Sequence, residues 1–201
     1  MNRTQLAPPD DIRIRPAHAA DCAAIGAFVA GLSPRARFLR FFGPASPPSS
    51  SVLRSMCGAG LTSDVLLATD RHGHGQGDDR DNQGDGDYAD RMVIGHAMAA
   101  DSVAPDGALV TDVGLVVADR WQHHGVGSDL LGRLVARAQK RGVSRLSMDV
   151  LPENRPMLTL IAHRWPDARY AFGPDAVTVR VGLTSPSAAN GGRRDPALRA
   201  A

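Results

Sequence analysis

The segment Gln122-His123-His124-Gly125-Val126-Gly127-Ser128 joins an apolar run ending in Leu115-Val116-Val117 to a stretch with helical periodicity. That placement suits an anion site. The first N–H groups of a helix lack intrahelical partners, and the helix dipole favours negative charge there. Glycines at 125 and 127 let the backbone close on a phosphate where a Cβ would obstruct it. The same glycines also suit a plain strand-to-helix turn, and a lone G-x-G does not separate the two. A dinucleotide fingerprint fits less well, because its third glycine and following acidic residue are missing. Upstream, Asp112 interrupts the run Leu109 to Val117, which its apolarity predicts to be a strand buried on both faces. An unpartnered carboxylate is costly in such a place. Desolvation there would raise its pKa towards the range useful to a general base; the alternative role is a structural hydrogen bond to a neighbouring strand end. Gly114 suits a strand bulge or a close backbone approach.

These residues need elements to hold them. A short alternating strand is predicted at Asp11–Arg15, with Asp21 as the cap of a helix whose apolar face is Ile25, Phe28, Val29 and Leu32. Ser33-Pro34 starts a second helix that Gly43-Pro44 ends, and a third runs from Ser50 to Cys57. Strands at Asp64–Thr69 and Met92–Ala100 form a long hairpin, followed by a strand at Ala108–Val117. Leu130, Leu131, Leu134, Val135 and Ala138 then face one side of a helix that Gly142 stops. A strand Arg145–Val150, a helix Pro156–Trp165 and final strands around Tyr170 and Val177–Leu183 complete the order. The alternation predicts a mixed α/β (α+β) domain on one central sheet.

That domain spans 11–183 of the 201 residues, between an extension at 1–10 and a small, polar tail at 184–201 expected to be disordered. Residues 71–90 carry five glycines and six aspartates and read as a flexible loop. Its Asp79, Asp81, Asp85, Asp87 and Asp90 fall near calcium-loop spacing. Asp90 replaces the closing glutamate, however, and the flanks are strands, so a solvated acidic loop is the better account. No metal is expected. The charge balance of 23 basic to 21 acidic residues, net +2, gives no electrostatic case for nucleic acid. No apolar stretch reaches the roughly 20 residues of a membrane helix, and Met1–Pro9 has no signal-like core, so a cytoplasmic protein is predicted. Cys22 and Cys57 are expected as reduced core residues. Phe38, Phe41 and Phe42 are expected in the core, and Arg40 on a solvated face.

The motif Q-x-x-G-x-G, preceded by V-V-x-D-x-W, resembles the acyl-CoA-binding motif of the GNAT N-acetyltransferases. Ile12-Arg13-Ile14-Arg15-Pro16, Ile94-Gly95-His96-Ala97 and Leu151-Pro152-Glu153-Asn154-Arg155-Pro156-Met157 resemble further parts of that family. Leu32-Ser33-Pro34, Arg40-Phe41-Phe42-Gly43-Pro44 and E-N-R-P-M are similar to its bacterial protein-lysine acetyltransferase branch. The resemblance implies a single GNAT-like domain, with a mixed, mostly antiparallel sheet splayed at the CoA site and flanked by helices. It implies acetyl transfer from acetyl-CoA to a primary amine, a protein lysine above all. A small-molecule amine, or a non-catalytic acyl-CoA sensor, are the alternatives. Leu115, Val116 and Val117 would pair with the pantetheine arm, and the backbone from His123 to Ser128, entered through Gln122, would hold the diphosphate. Asn154 would either bond the pantetheine or cap its own helix. Asp112 falls where the protein-acetylating branch has a glutamate. Asp149 is the rival base, since other branches carry their acid on that strand, and Tyr170 is the nearby phenol that could act as general acid.

Overall fold

The computed structural model describes residues 12–43, 48–60, 62–70 and 92–183. The expected extension at 1–10, the loop at 71–90 and the tail at 184–201 lie outside them. Seven strands form one sheet in the order β1-β2-β3-β4-β5-β7-β6. They are β1 Ile12–Pro16, β2 Thr62–Asp70, β3 Met92–Val103, β4 Leu109–Val117, β5 Arg145–Val150, β6 Arg169–Phe172 and β7 Val177–Gly182. The helices are α1 Cys22–Gly31, α2 Pro34–Phe41, α3 Ser50–Met56, α4 Val126–Lys140 and α5 Arg155–Arg164. Each neighbouring pair of strands is antiparallel except β4 with β5. A parallel pair needs a crossover, and α4 supplies it.

The alternation of side chains sorts the helices onto two faces. On one, Ile25, Phe28 and Val29 of α1, with Leu32 just beyond its end, pack with Val65 and Leu67 of β2 and Val116 of β4. On the other, Val126, Leu130 and Leu134 of α4 cover Leu66, Ala68, Ile94, Ala97 and Ala99. The next stripe of α4, Leu131, Val135 and Ala138, joins Ile161 of α5 over Leu146, Met148, Val150, Val177, Val179 and Val181. The amphipathic helix expected before Gly142 thus serves both halves of the sheet, because its apolar arc is wide enough to do so.

Several local expectations change. Asp21 stands at the start of α1 but does not cap it. Its carboxylate takes two 2.7 Å hydrogen bonds from Arg15 and another from the His18 amide. The Arg15 hydrogen bonds hold the Asp21 carboxyl below the ordinary aspartate range. Cys22 and Cys57 are joined as a disulfide linking α1 to the end of α3, with Cα atoms 5.5 Å apart, and Cys22 is exposed. Phe38 and Phe42 are each 40% exposed, whereas Phe41 packs against the α1 cluster. Their helix is short and packs on β4 with one side only, which leaves its outer side to solvent.

Candidate active site

The central sheet opens where β4 and β5 part. They pair only at Val110–Arg145, Thr111–Leu146 and Asp112–Ser147. β4 continues to Val117 and β5 to Val150, so the β4 edge from Val113 to Val117 has no β5 partner. Such an edge exposes backbone donors and acceptors that an extended ligand can satisfy. The opening also corrects the expected burial. In β4 only Thr111 and Val116 are buried, because the strand lacks a neighbour along half of one side.

The glycine segment closes the wide end of this V. Gln122 Nε2 donates to the Val117 carbonyl at 3.1 Å and fixes the turn to the strand end. His124 donates its Nδ1–H to the Gln122 carbonyl at 2.7 Å, and its ring meets Trp121 edge-on. His123 has φ 65° and Gly125 φ 82°, both left-handed. α4 then begins at Val126, and Asp129 N–H to Gly125 O, at 3.0 Å, opens its bonding ladder. A left-handed residue followed by helical ones turns successive amides into one concavity, here those of Val126 and Gly127. A Cβ on Gly127 would point at Val117 Cγ2 (3.6 Å) and Leu115 Cδ2 (3.7 Å), into the corridor between helix and strand. A diphosphate-bearing ligand with an extended arm fits this pairing of amide cup and free strand edge.

Asp112 sits at the apex of the V, the last β4 residue paired with β5. It is exposed, so the desolvation expected of it is absent. On β5, Asp149 is also exposed and accepts a 2.7 Å hydrogen bond from Thr178 Oγ1. Register sets both acids on one face of the sheet: Asp112 lies opposite Ser147, and Asp149 is two residues further along the same strand. Tyr170 lies opposite Val179 and packs into the α4–α5 cluster, on the other face, with its hydroxyl buried and unpartnered. The structure therefore does not bring Tyr170 to the two acids. Asn154 caps α5, its Oδ1 accepting from Met157 N–H at 3.3 Å, which leaves its Nδ2 to donate elsewhere.

Gly114 carries no bulge; the β3–β4 register runs through it unbroken. The glycine instead makes room for a side chain from α2. A Cβ would overlap an Arg40 terminal nitrogen and stand 2.6 Å from Arg40 Cζ, so the guanidinium could not keep its place. Arg40, expected on a solvated face, instead lays its guanidinium over β4 beside Asp112. Its Nε is buried without a partner, and burial pushes the guanidinium pKa down to about 10. The sequence signal was present in the pairing of a basic residue on α2 with a glycine in an apolar strand, but linking them needs the packing of α2 on β4.

His96 lies below Arg40 on the same face, paired with Val116 and 0% exposed. Its Nε2 donates to the Met56 carbonyl at 2.9 Å, and its Nδ1 is buried without a partner. Burial first, and the Arg40 charge as well, push its pKa down to about 4 from 6.5. The unfolded chain therefore takes a proton near 6.5 that the folded chain refuses until about 4. Stability is complete above 6.5 and should fall as pH drops through that window, by up to about 3 kcal/mol. Urea unfolding at pH 7.5 and 4.5 will register the loss, and His96→Gln, which keeps a donor for Met56, should flatten it.

The model of the Acetyltransferase (GNAT) family matches residues 67–163, from β2 through most of α5. Among solved structures, the GNAT domain of S. lividans PAT superposes with a TM-score of 0.65 at 21% identity, covering 86% of this chain and 90% of that one. The NatC complex bound to Gag peptide and CoA gives 0.60 at 17%, covering 87% and 99%. A phosphinothricin acetyltransferase from Sinorhizobium meliloti in complex with AcCoA gives 0.58 at 18%, covering 86% and 89%. Likeness at these identities is likeness of fold. No curated protein shows significant sequence similarity to the chain. The protein carries a GNAT-family acetyltransferase domain. Among the described residues, no group of three His, Cys, Asp or Glu side chains could hold a metal, and no helix is long and apolar enough to cross a membrane.

Proposed function

We propose that the protein transfers the acetyl group of acetyl-CoA to a primary amine, and that the amine is a protein lysine. The observation that carries this reading is the β4–β5 opening bordered by the left-handed turn at Gly125. In this account the amides of Val126 and Gly127, with the turn from Gln122 to Ser128 around them, hold the diphosphate. The free edge at Leu115, Val116 and Val117 pairs with the pantetheine arm. Asn154 Nδ2 reaches the same arm from the β5 side. The thioester then lies near the apex, beside Asp112.

A lysine ammonium, with an ordinary pKa of roughly 10.4, must lose a proton before it can attack. Asp112 accepts it, through a bridging water because aspartate is short. The neutral nitrogen attacks the thioester carbon, the C–S bond breaks, and the second proton shed by the amine nitrogen ends on the departing CoA sulfur, so that an amide and a free thiol result. Support for a polypeptide acceptor comes from the fold shared with the NatC complex, which is bound to a Gag peptide and CoA, and the lysine rests on the similarity of Leu32-Ser33-Pro34 and E-N-R-P-M to the protein-lysine acetyltransferase branch. The phosphinothricin acetyltransferase neighbour motivates small amines as the competing acceptors.

A thiol-release assay with acetyl-CoA and a panel of lysine peptides, polyamines and aminoglycosides tests this. Acetylated peptide lysine, seen by mass, is the expected product. Release only with the small amines would reassign the acceptor. Stabilisation by acetyl-CoA with no thiol release on any amine would make the domain a sensor rather than an enzyme.

A further inference from the structure

Three arginines flank Asp112 on one face of the sheet, and no described residue pairs with any of them through an ion pair. The register places two of the three. Asp112 lies opposite Ser147, Ser147 opposite Arg180, and Arg180 opposite Arg169. Residues directly opposite project from the same side of a sheet, and strands stand about 4.8 Å apart, so Arg180 and Arg169 follow Asp112 at roughly 10 and 14 Å. The third, Arg40, covers Gly114 on the other flank.

The fold does not explain this row. Arg169 and Arg180 are both exposed, and like charges directly across a strand pair destabilise it. Arg145, on the same open face, is by contrast matched by Asp106. The carboxylates available nearby are Asp149, which accepts the Thr178 hydroxyl, and Asp112 itself. The apolar side chains of α4 and α5 pack on the opposite face of β5, β7 and β6, so the arginine row lies on the side those helices leave uncovered. A bare cationic track that ends at the reaction apex fits an anionic ligand and disfavours polycations such as polyamines and aminoglycosides.

We infer that the acceptor lysine is presented on an acidic polypeptide segment, whose Asp and Glu side chains lie over Arg180 and Arg169 while the lysine enters the β4–β5 opening beside Asp112. This rests on the lysine acceptor of the proposed function. It is tested with acetyl-CoA and lysine peptides flanked by Glu, by Gln or by Arg. The acidic peptide should show a KM at least about five-fold below the neutral one, the size that two exposed charge contacts supply, and added salt should shrink the difference. The double variant Arg169→Gln/Arg180→Gln should bring the acidic-to-neutral ratio to about one, and Arg169→Lys/Arg180→Lys should keep the preference. Equal KM values for the acidic and neutral peptides, or a ratio that survives the Gln variant, would overturn the acidic segment while leaving the lysine acceptor in place. No acetylation of any peptide would overturn both.

Discussion

Gly127→Val should weaken acetyl-CoA binding by at least about 100-fold while the protein stays folded. The loss corresponds to about 3 kcal/mol, the worth of one or two hydrogen bonds from backbone amides to a charged diphosphate. The fold should survive because a Cβ at this position meets Val117 and Leu115 only at ordinary contact distances of 3.6 and 3.7 Å. Valine is also no worse than glycine inside a helix. What the branched side chain occupies is the corridor between α4 and the free β4 edge, the space that the proposed coenzyme placement requires. Gly127→Ala, adding a single carbon, should cost much less. Calorimetric titration with CoA, beside a thermal melt of each variant, separates the outcomes. An unchanged Kd in the valine variant would remove the glycine turn from coenzyme binding.

Asp112→Asn should slow acetyl transfer by about 100-fold, the lower end of what a positioned general base contributes, with Kd for acetyl-CoA within about two-fold of wild type. The substitution is nearly isosteric and the side chain is exposed, so stability should not change. Asp149→Asn should stay within a few-fold of wild type in turnover, since that carboxylate is engaged by Thr178 on the far limb of the V. Single-turnover rates for both variants decide the assignment. A slow Asp149→Asn beside a fast Asp112→Asn would move the base to β5.

Much of the architecture was legible in the chain. Arg145–Val150 and the helix from Val126 were readable because a period of two, or of 3.6, records which side of an element is buried. The turn from Gln122 to Gly127 was readable because left-handed backbone and close approach both select glycine. The burial of β4 was not legible, because apolarity reports a strand's preference and not its neighbours. Once β5 diverges after Ser147, the same residues line an opening. Sequence order makes Tyr170 the nearby phenol, but strand parity turns it to the other face. That parity follows from the β6–β7 register, which no local pattern encodes.

By itself, then, the sequence determined the elements, their order and the glycine turn before α4, since each depends on contacts within a few residues along the chain. Only the tertiary structure decided that Arg40 fills the space above Gly114, that Asp112 is open to solvent, and that Arg169 and Arg180 extend from it along one face. Those facts depend on strand order and register, and on which helix lies over which strand. Such pairings join residues far apart in the chain, and the energies that select them are summed over the whole core rather than written at any one position.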